Sequence, residues 1–203
     1  MSAGVLSVIV VICIGILILS GWSEMLFPGY ASITILTVLL GWMLCAGRQL
    51  KLGIVQVDIA WAIWIIAAVA GFIFYLYKQS NWTAALLMCS HIFLFSAIWL
   101  FMGIGRGIGY GTIPTIPVWL TGLCIGIMGG MMYTSVAAQW AVFTLSYAIG
   151  EALLITKAAS YRQLLLGSLE IFDTWWITFA AARLCAVFVI FVLRFSHPKV
   201  DNS

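Results

Sequence analysis

Long apolar runs separated by short polar connections extend along almost the whole chain. A helix needs about 20 apolar residues to cross the hydrocarbon core of a bilayer, and seven runs come close to this length. The predicted spans are 4–21, 30–47, 54–77, 83–104, 115–132, 136–156 and 174–195. The pattern therefore predicts an all-α fold, a polytopic transmembrane helical bundle in which residues 1–203 form one integral membrane domain without a soluble domain.

The fifth and sixth predicted spans are the hardest to separate. Together they form a nearly continuous apolar run of about 40 residues, which is too long for one crossing. The polar triplet Tyr133-Thr134-Ser135 interrupts this run and predicts a hairpin. Seven spans are therefore the prediction, and six spans are the alternative.

Residues 157–173, between the sixth and seventh predicted spans, have a different composition. Charged residues are interleaved with apolar ones, namely Lys157, Arg162, Glu170 and Asp173 with Leu164, Leu165, Leu166 and Ile171. Such mixing is typical of an amphipathic segment at a membrane surface. The sequence therefore predicts an interfacial segment here.

The overall composition supports the same class of protein. Hydrophobic residues make up 65% of the chain and charged residues only 7%, whereas a soluble domain carries about 25% charged residues. The net charge of +3 is too small to indicate a nucleic-acid partner. The predicted partner is the lipid bilayer, with other membrane proteins as further candidates.

Basic residues in short loops predict the orientation, because they are in excess on the cytoplasmic side. The loops after the second, fourth and sixth predicted spans share one side of the membrane. That side carries Arg48, Lys51, Arg106, Lys157 and Arg162, whereas the opposite side carries Lys78, Arg194 and Lys199. The bias predicts a cytoplasmic N-terminus and an outer C-terminus.

The stretch GRGIGYG at residues 105–111 is similar to a potassium-channel filter, whose Gly-Tyr-Gly carbonyls replace the hydration shell of the ion. A filter has a threonine two residues before that triplet, and Gly107 stands there instead. Arg106 would also repel a cation, and the preceding run is long enough to cross the membrane. The stretch is therefore predicted to be a flexible connection, and a nest of glycine N–H groups that binds an anion is the alternative.

Ionisable residues inside spans are costly, so each indicates a structural or functional role. Asp58, Arg106 and Glu151 fall near span ends that face the loops after the second, fourth and sixth spans, and Arg183 lies about 10–12 Å inside the seventh span from the same side. They are therefore predicted to share one half of the membrane and to form a polar network. Arg183 is expected to pair with Glu151 first and with Asp58 second. The network either fixes helix packing or forms a site for a polar ligand or proton.

Three glycines of the fifth predicted span recur at four-residue spacing: Gly122, Gly126 and Gly130. Small residues at this spacing allow two helix backbones to approach closely. The sixth predicted span presents Ala137, Ala138 and Ala141. The stripe is therefore predicted to pack against that span rather than against another subunit.

Motifs that would carry chemistry are missing from the sequence. The five cysteines form no CxxC pair, and neither a HExxH zinc motif nor a GxSxG nucleophile motif occurs. No catalytic residue, metal site or cofactor is therefore predicted. The favoured function is a non-enzymatic binding, scaffolding or regulatory membrane component. A small transporter or channel with a polar site at Asp58, Glu151 and Arg183 is the first alternative, and an enzyme acting on a lipid-embedded substrate is the second.

The small size, the nearly loopless layout and the motif Gly21-Trp22-Ser23-Glu24 after the first span suggest a family. In these features the chain resembles the YphA-type membrane proteins of Gram-positive spore-forming bacteria. The resemblance implies a multi-pass protein of the bacterial plasma membrane. It implies no particular chemistry and no functional residues.

Overall fold

The computed structural model describes residues 4–52, 55–79, 82–107, 117–158 and 164–196. The described chain is mostly helical, which confirms the predicted helical class. Within these described ranges, four stretches are long and apolar enough to cross a membrane, namely Val5–Leu26, Ile59–Tyr77, Trp82–Phe101 and Leu169–Leu193. Two shorter apolar helices, Ser32–Cys45 and Trp119–Met132, accompany them.

The described elements follow one another with few intervening residues. The helices are α1 (Val5–Leu17), α2 (Ser23–Leu26), α3 (Ser32–Cys45), α4 (Ile59–Gln79), α5 (Trp82–Gly107), α6 (Val118–Met132), α7 (Val136–Ala158) and α8 (Leu169–Ser196). A π-helical turn, Ile18–Trp22, joins α1 to α2 and kinks at Gly21, where φ is 92°. The break between α6 and α7 falls at 133–135, where the polar triplet predicted a hairpin.

Two helices form the centre of the bundle. Helix α8 packs between α1 and α6, helix α7 packs between α4 and α5, and α7 and α8 also contact each other. Helix α3 lies at the edge, against α1 and α4. Most of the hydrophobic core is therefore built from α7, α8 and the helix faces that cover them.

Helix directions alternate along the chain. Helices α5 and α7 run parallel, because Ser96 contacts Ser146 and Trp99 lies beside Gly150. One end of the bundle consequently contains the starts of α1, α4, α6 and α8 and the ends of α3, α5 and α7. That end also carries a small sheet, so we call it the sheet end.

The sheet contains three short strands that the sequence analysis did not predict. Strand β1 (Gln49–Leu52) pairs antiparallel with β2 (Val55–Asp58), and β2 pairs parallel with β3 (Leu164–Leu166). Residues 55–58 therefore form a strand instead of the start of the third predicted span. The sheet joins the α3–α4 connection to the α7–α8 connection.

The last long helix begins earlier than the sequence predicted. Residues 169–173, assigned to the interfacial segment, are the first turn of α8. Asp173 accepts hydrogen bonds from the backbone N–H groups of Gly4 and Ser7, at 2.8 and 2.6 Å, and from the hydroxyl of Ser7. The N-terminus of α1 thus supplies donors that stabilise this partly buried acidic residue.

The glycine stripe of α6 packs against α8, so the predicted contact with α7 is wrong for these three residues. A Cβ atom at Gly122, Gly126 or Gly130 would lie 2.9 Å or less from backbone oxygens of α8. Gly129, beside the stripe, faces Phe143 of α7 instead. The spacing indicates close approach but does not identify the neighbouring helix, which depends on the whole arrangement.

Candidate functional site

Arg183 is buried, but its partners are not carboxylates. Its Nε donates to the carbonyl oxygen of Leu26 at 2.7 Å. Its Nη1 donates to the carbonyl oxygen of Thr134 at 2.8 Å and to Oε1 of Gln139 at 3.2 Å. The guanidinium therefore ties α8 to the end of α2 and to the α6–α7 turn, and the predicted pairing with Glu151 or Asp58 is wrong.

The position of Arg183 along its helix explains this difference. Arg183 follows Leu169, the first residue of α8, by 14 residues, which places it about 21 Å along the helix axis. The α6–α7 turn lies at the end of the bundle opposite the sheet. Arg183 consequently lies in the other half of the bundle from Glu151 and Asp58.

Glu151, near the end of α7, holds the turn between β3 and α8. Both of its carboxylate oxygens accept the backbone N–H of Gly167, at 3.0 and 3.1 Å. Gly167 has a φ of +78°, and a Cβ atom there would lie 2.5 Å from Cβ of Trp61. The carboxylate thus fixes a turn that only glycine fits.

Asp58, the last residue of β2, is the N-cap of α4 rather than an acid within a span. Its Oδ1 accepts the backbone N–H groups of Ala60 and Trp61, and its Oδ2 accepts that of Gly47 at 2.7 Å. Burial raises the pKa of the Asp58 carboxyl, and these backbone hydrogen bonds act in the opposite direction. Asp58 therefore closes the α3–α4 connection.

Arg106 lies in the last turn of α5, and its side chain is outside the described part of the structure. Residues 108–111 of GRGIGYG are outside it as well, so both hypotheses for this stretch stay predictions. The other three predicted residues occupy separate places with separate partners. The structure therefore does not bring Asp58, Glu151 and Arg183 together into one polar site.

The polar side of α7 is used for contacts with α8. The indole Nε1 of Trp175 donates to Oγ1 of Thr144 at 3.2 Å. The hydroxyls of Tyr147 and Thr178 lie 2.6 Å apart. These side chains are buried, so this polar face stabilises helix packing.

A partly buried polar contact joins α5 to the α6–α7 turn. Nδ1 of His91 lies 2.6 Å from the hydroxyl oxygen of Tyr133. Burial raises the pKa of Tyr133 to about 12, so the phenol remains protonated near neutral pH. His91 is thus a hydrogen-bonded packing residue, as expected for a lone histidine within an apolar run.

A groove between α3 and α4 has a volume of about 480 Å³. Helices α7 and α8 form its floor. Residues on its rim are exposed, including Val38 at 43% and Ile63 at 51%, whereas the floor residues Ala141 and Trp176 are buried. The groove consequently opens sideways, on the outer surface of the bundle.

The lining of the groove is almost entirely apolar. Aromatic residues form much of the floor and of the inner wall: Trp42, Trp64, Trp140, Trp176 and Phe179. Small residues of α4 provide space along the opposite wall: Ala60, Ala67, Ala68 and Gly71. Ala60 and Gly71 are 11 residues apart, so the groove extends for about 16 Å along α4.

The sequence analysis did not predict this groove. A usable signal was the occurrence of tryptophans within the spans, since tryptophan prefers the membrane interface to the apolar interior. Trp64, Trp140 and Trp175 meet at ring-centroid distances of 4.3–4.7 Å. Their convergence depends on how the helices are arranged, which no single span specifies.

Comparison of the chain with protein-family models, curated proteins and solved structures finds no match.

Proposed function

We propose that this protein is a non-enzymatic integral membrane component that binds one lipid-like molecule in the groove between α3 and α4. The observation that carries this proposal is the groove itself. It is apolar, opens sideways and has an aromatic floor. Its volume of about 480 Å³ lies within the range of roughly 300–1,000 Å³ that single small-molecule ligands occupy.

The chemistry of the lining favours binding over catalysis. None of Asp58, Glu151 and Arg183 lines the groove, and each is hydrogen-bonded to backbone groups elsewhere in the bundle. Turnover of a lipid-embedded substrate needs a nucleophile, acid or base within hydrogen-bond reach of it. An apolar wall provides shape and dispersion contacts instead.

The proposal includes a membrane topology. Four helices have the length and apolar character of spans, and α3, α6 and α7 run in the alternating directions that a seven-span chain requires. We therefore place seven spans in the cell membrane. The basic-residue bias favours the sheet end, with the N-terminus, on the cytoplasmic side.

Two glycines allow the groove to be filled without disturbing its walls. A Cβ atom at Gly41 or Gly71 would have no neighbour within 4 Å, and both residues line the groove. The variants Gly41→Leu and Gly71→Leu therefore place an isobutyl group in the space that the ligand would occupy. Gly15 in α1 has equally open surroundings and lies outside the groove, so Gly15→Leu is the matched control.

Native mass spectrometry of the purified protein, titrated with phosphatidylcholine in a non-ester detergent, measures this binding. We expect one lipid adduct for the wild type and for Gly15→Leu. The two groove variants should bind about tenfold more weakly, because a blocked chain loses contacts worth roughly 1.4 kcal/mol. Equal binding by all four proteins would contradict the proposal.

A further inference from the structure

The sheet end of the groove adjoins a basic residue. Cys45 is the last residue of α3 and Ala60 is the second residue of α4, and both line the groove. Arg48 lies on the chain segment between these two helices. Its backbone N–H donates to the carbonyl oxygen of Cys45 at 3.2 Å, and its carbonyl oxygen accepts the N–H of Ile59 at 2.8 Å. Arg48 is therefore hydrogen-bonded to both helices at this end of the groove.

The side chain of Arg48 is available to a ligand. Arg48 is exposed, and among the described residues no hydrogen bond or ion pair involves its guanidinium. Asp58 lies next to it, opposite Gln49 in the sheet. However, Asp58 is only 2% exposed and already accepts three backbone N–H groups. The guanidinium is consequently free to meet an anionic group from outside the chain.

The sheet places this end of the groove at the membrane surface. Open sheet edges do not occur in lipid-exposed hydrocarbon, because their backbone groups would lack partners there. The described sheet is open, with its strands in the order β1-β2-β3, and it carries the exposed polar residues Gln49 and Lys51. Arg48 directly precedes β1 and therefore lies at the level of the lipid headgroups.

The groove has the length of one membrane leaflet. Its lining extends from Cys45 to Thr34 on α3 and from Ala60 to Gly71 on α4. Each distance is 11 residues, or about 16 Å along the helix. The hydrocarbon core is about 30 Å thick, so one leaflet contributes about 15 Å. A lipid with its headgroup beside Arg48 therefore has room to lay one acyl chain along the groove.

At the far end of the groove, the described charged side chains do not suit a phosphate group. Tyr30 lines the groove there, and the neighbouring Gly29 donates its N–H to the carboxylate of Glu24 at 3.4 Å. That carboxylate would repel an anionic headgroup. Arg183 also lies at this end, but only 2% of it is exposed. The two ends therefore orient an anionic lipid with its headgroup toward the sheet.

We infer that the groove binds an anionic glycerophospholipid from the leaflet at the sheet end, with its phosphate at Arg48 and one acyl chain along the groove. This inference rests on the proposed function, since it names the ligand class of the same groove. A guanidinium has a planar pair of donors that matches two phosphate oxygens. The apolar walls hold the chain, and Arg48 selects the headgroup.

The test compares two lipids with the same acyl chains. Dioleoyl phosphatidylglycerol carries a net negative charge, whereas the ammonium group of dioleoyl phosphatidylcholine offsets the charge of its own phosphate. Binding of each lipid to the full chain is measured by native mass spectrometry in a non-ester detergent. We expect the wild type to bind phosphatidylglycerol about fivefold more tightly, which is the effect of one basic residue near an anionic membrane surface.

Two matched substitutions locate the effect. Arg48→Gln removes the charge beside the groove, and Lys51→Gln removes an equal charge from β1, where Lys51 is exposed and paired with Gln56. We expect Arg48→Gln to abolish the preference for phosphatidylglycerol and Lys51→Gln to retain it. Gly71→Leu should weaken the binding of both lipids by the same factor, because it blocks the acyl chain and not the headgroup.

The outcomes separate the two proposals. If the wild type binds both lipids equally, the headgroup inference is overturned and the groove remains a binding site. A preference that persists in Arg48→Gln, or that Lys51→Gln reduces equally, would overturn the assignment of Arg48. If neither lipid binds, the proposed function and the inference both fail.

Discussion

Replacing Arg183 tests whether its charge or its hydrogen-bonding shape stabilises the bundle. The guanidinium uses two nitrogens to reach Leu26, Thr134 and Gln139 on separate segments. A hydrogen bond from a charged donor contributes about 1.5–3 kcal/mol, and part of the loss is offset because the cost of burying the charge disappears. We therefore expect Arg183→Met to lower the free energy of unfolding by about 2–4 kcal/mol.

Arg183→Lys distinguishes the two explanations. Lysine keeps the charge but has a single compact ammonium, which cannot serve Leu26 and Thr134 in the fixed geometry of the guanidinium fork. It should therefore be no more stable than Arg183→Met. Unfolding followed by circular dichroism in mixed micelles measures both variants. Near wild-type stability of the lysine variant would refute this account and favour a charge interaction.

A double-mutant cycle provides the matching control. Arg183→Met combined with Gln139→Leu should show a coupling energy above about 0.5 kcal/mol, because the two side chains share a hydrogen bond. Combined with Glu151→Gln, the effects should add, since Glu151 contacts Gly167 in the other half of the bundle. The opposite pattern would restore the predicted Arg183–Glu151 pair.

Three further substitutions have expected effects that thermal unfolding in detergent measures. Gly126→Ala should lower the free energy of unfolding by about 1–3 kcal/mol through overpacking, since its Cβ would lie 2.4 Å from the carbonyl oxygen of Thr178. An unchanged unfolding midpoint would mean that α6 and α8 are not in close contact. Gly167→Ala should cost about 2–5 kcal/mol, because left-handed strain adds to a clash with Trp61, and a tolerated alanine would contradict the described turn. Asp58→Ala should cost about 1 kcal/mol by removing the cap of α4, and an equal loss in the asparagine variant would argue against capping.

The helices could be predicted from the sequence because their signal is local. A run of apolar residues satisfies its own backbone hydrogen bonds in a helix, whichever neighbours it acquires. Helices α3, α5, α6 and α7 consequently begin and end within three residues of the predicted bounds. The strands also had a local signal, since polar and apolar residues alternate at 49–52 and at 55–58. The prediction missed the strands because the long apolar run after residue 58 was extended back over part of this shorter alternating pattern.

The placement of the charged residues could not be predicted, because it depends on distant partners. Glu170 and Asp173 indicated a membrane surface, and this shortened the predicted last span. Asp173 instead accepts hydrogen bonds from Gly4 and Ser7, more than 160 residues away in sequence. This contact allows α8 to begin at Leu169, and the early start moves Arg183 past the middle of the bundle.

The contrast between two helix pairs explains why a groove can persist in this bundle. Apolar helices gain little from association in lipid, because lipid tails are as apolar as leucine, so close packing needs small residues at the contact. Helices α6 and α8 meet through the glycine stripe. Between α3 and α4 the rings of Trp42 and Trp64 form a tilted pair with centroids 6.3 Å apart, and the small residues of α4 line open space instead of a facing backbone. A lipid chain would supply the dispersion contacts that α3 and α4 do not make with each other. The Gly71→Leu side chain should therefore displace the lipid chain without lowering the stability of the bundle.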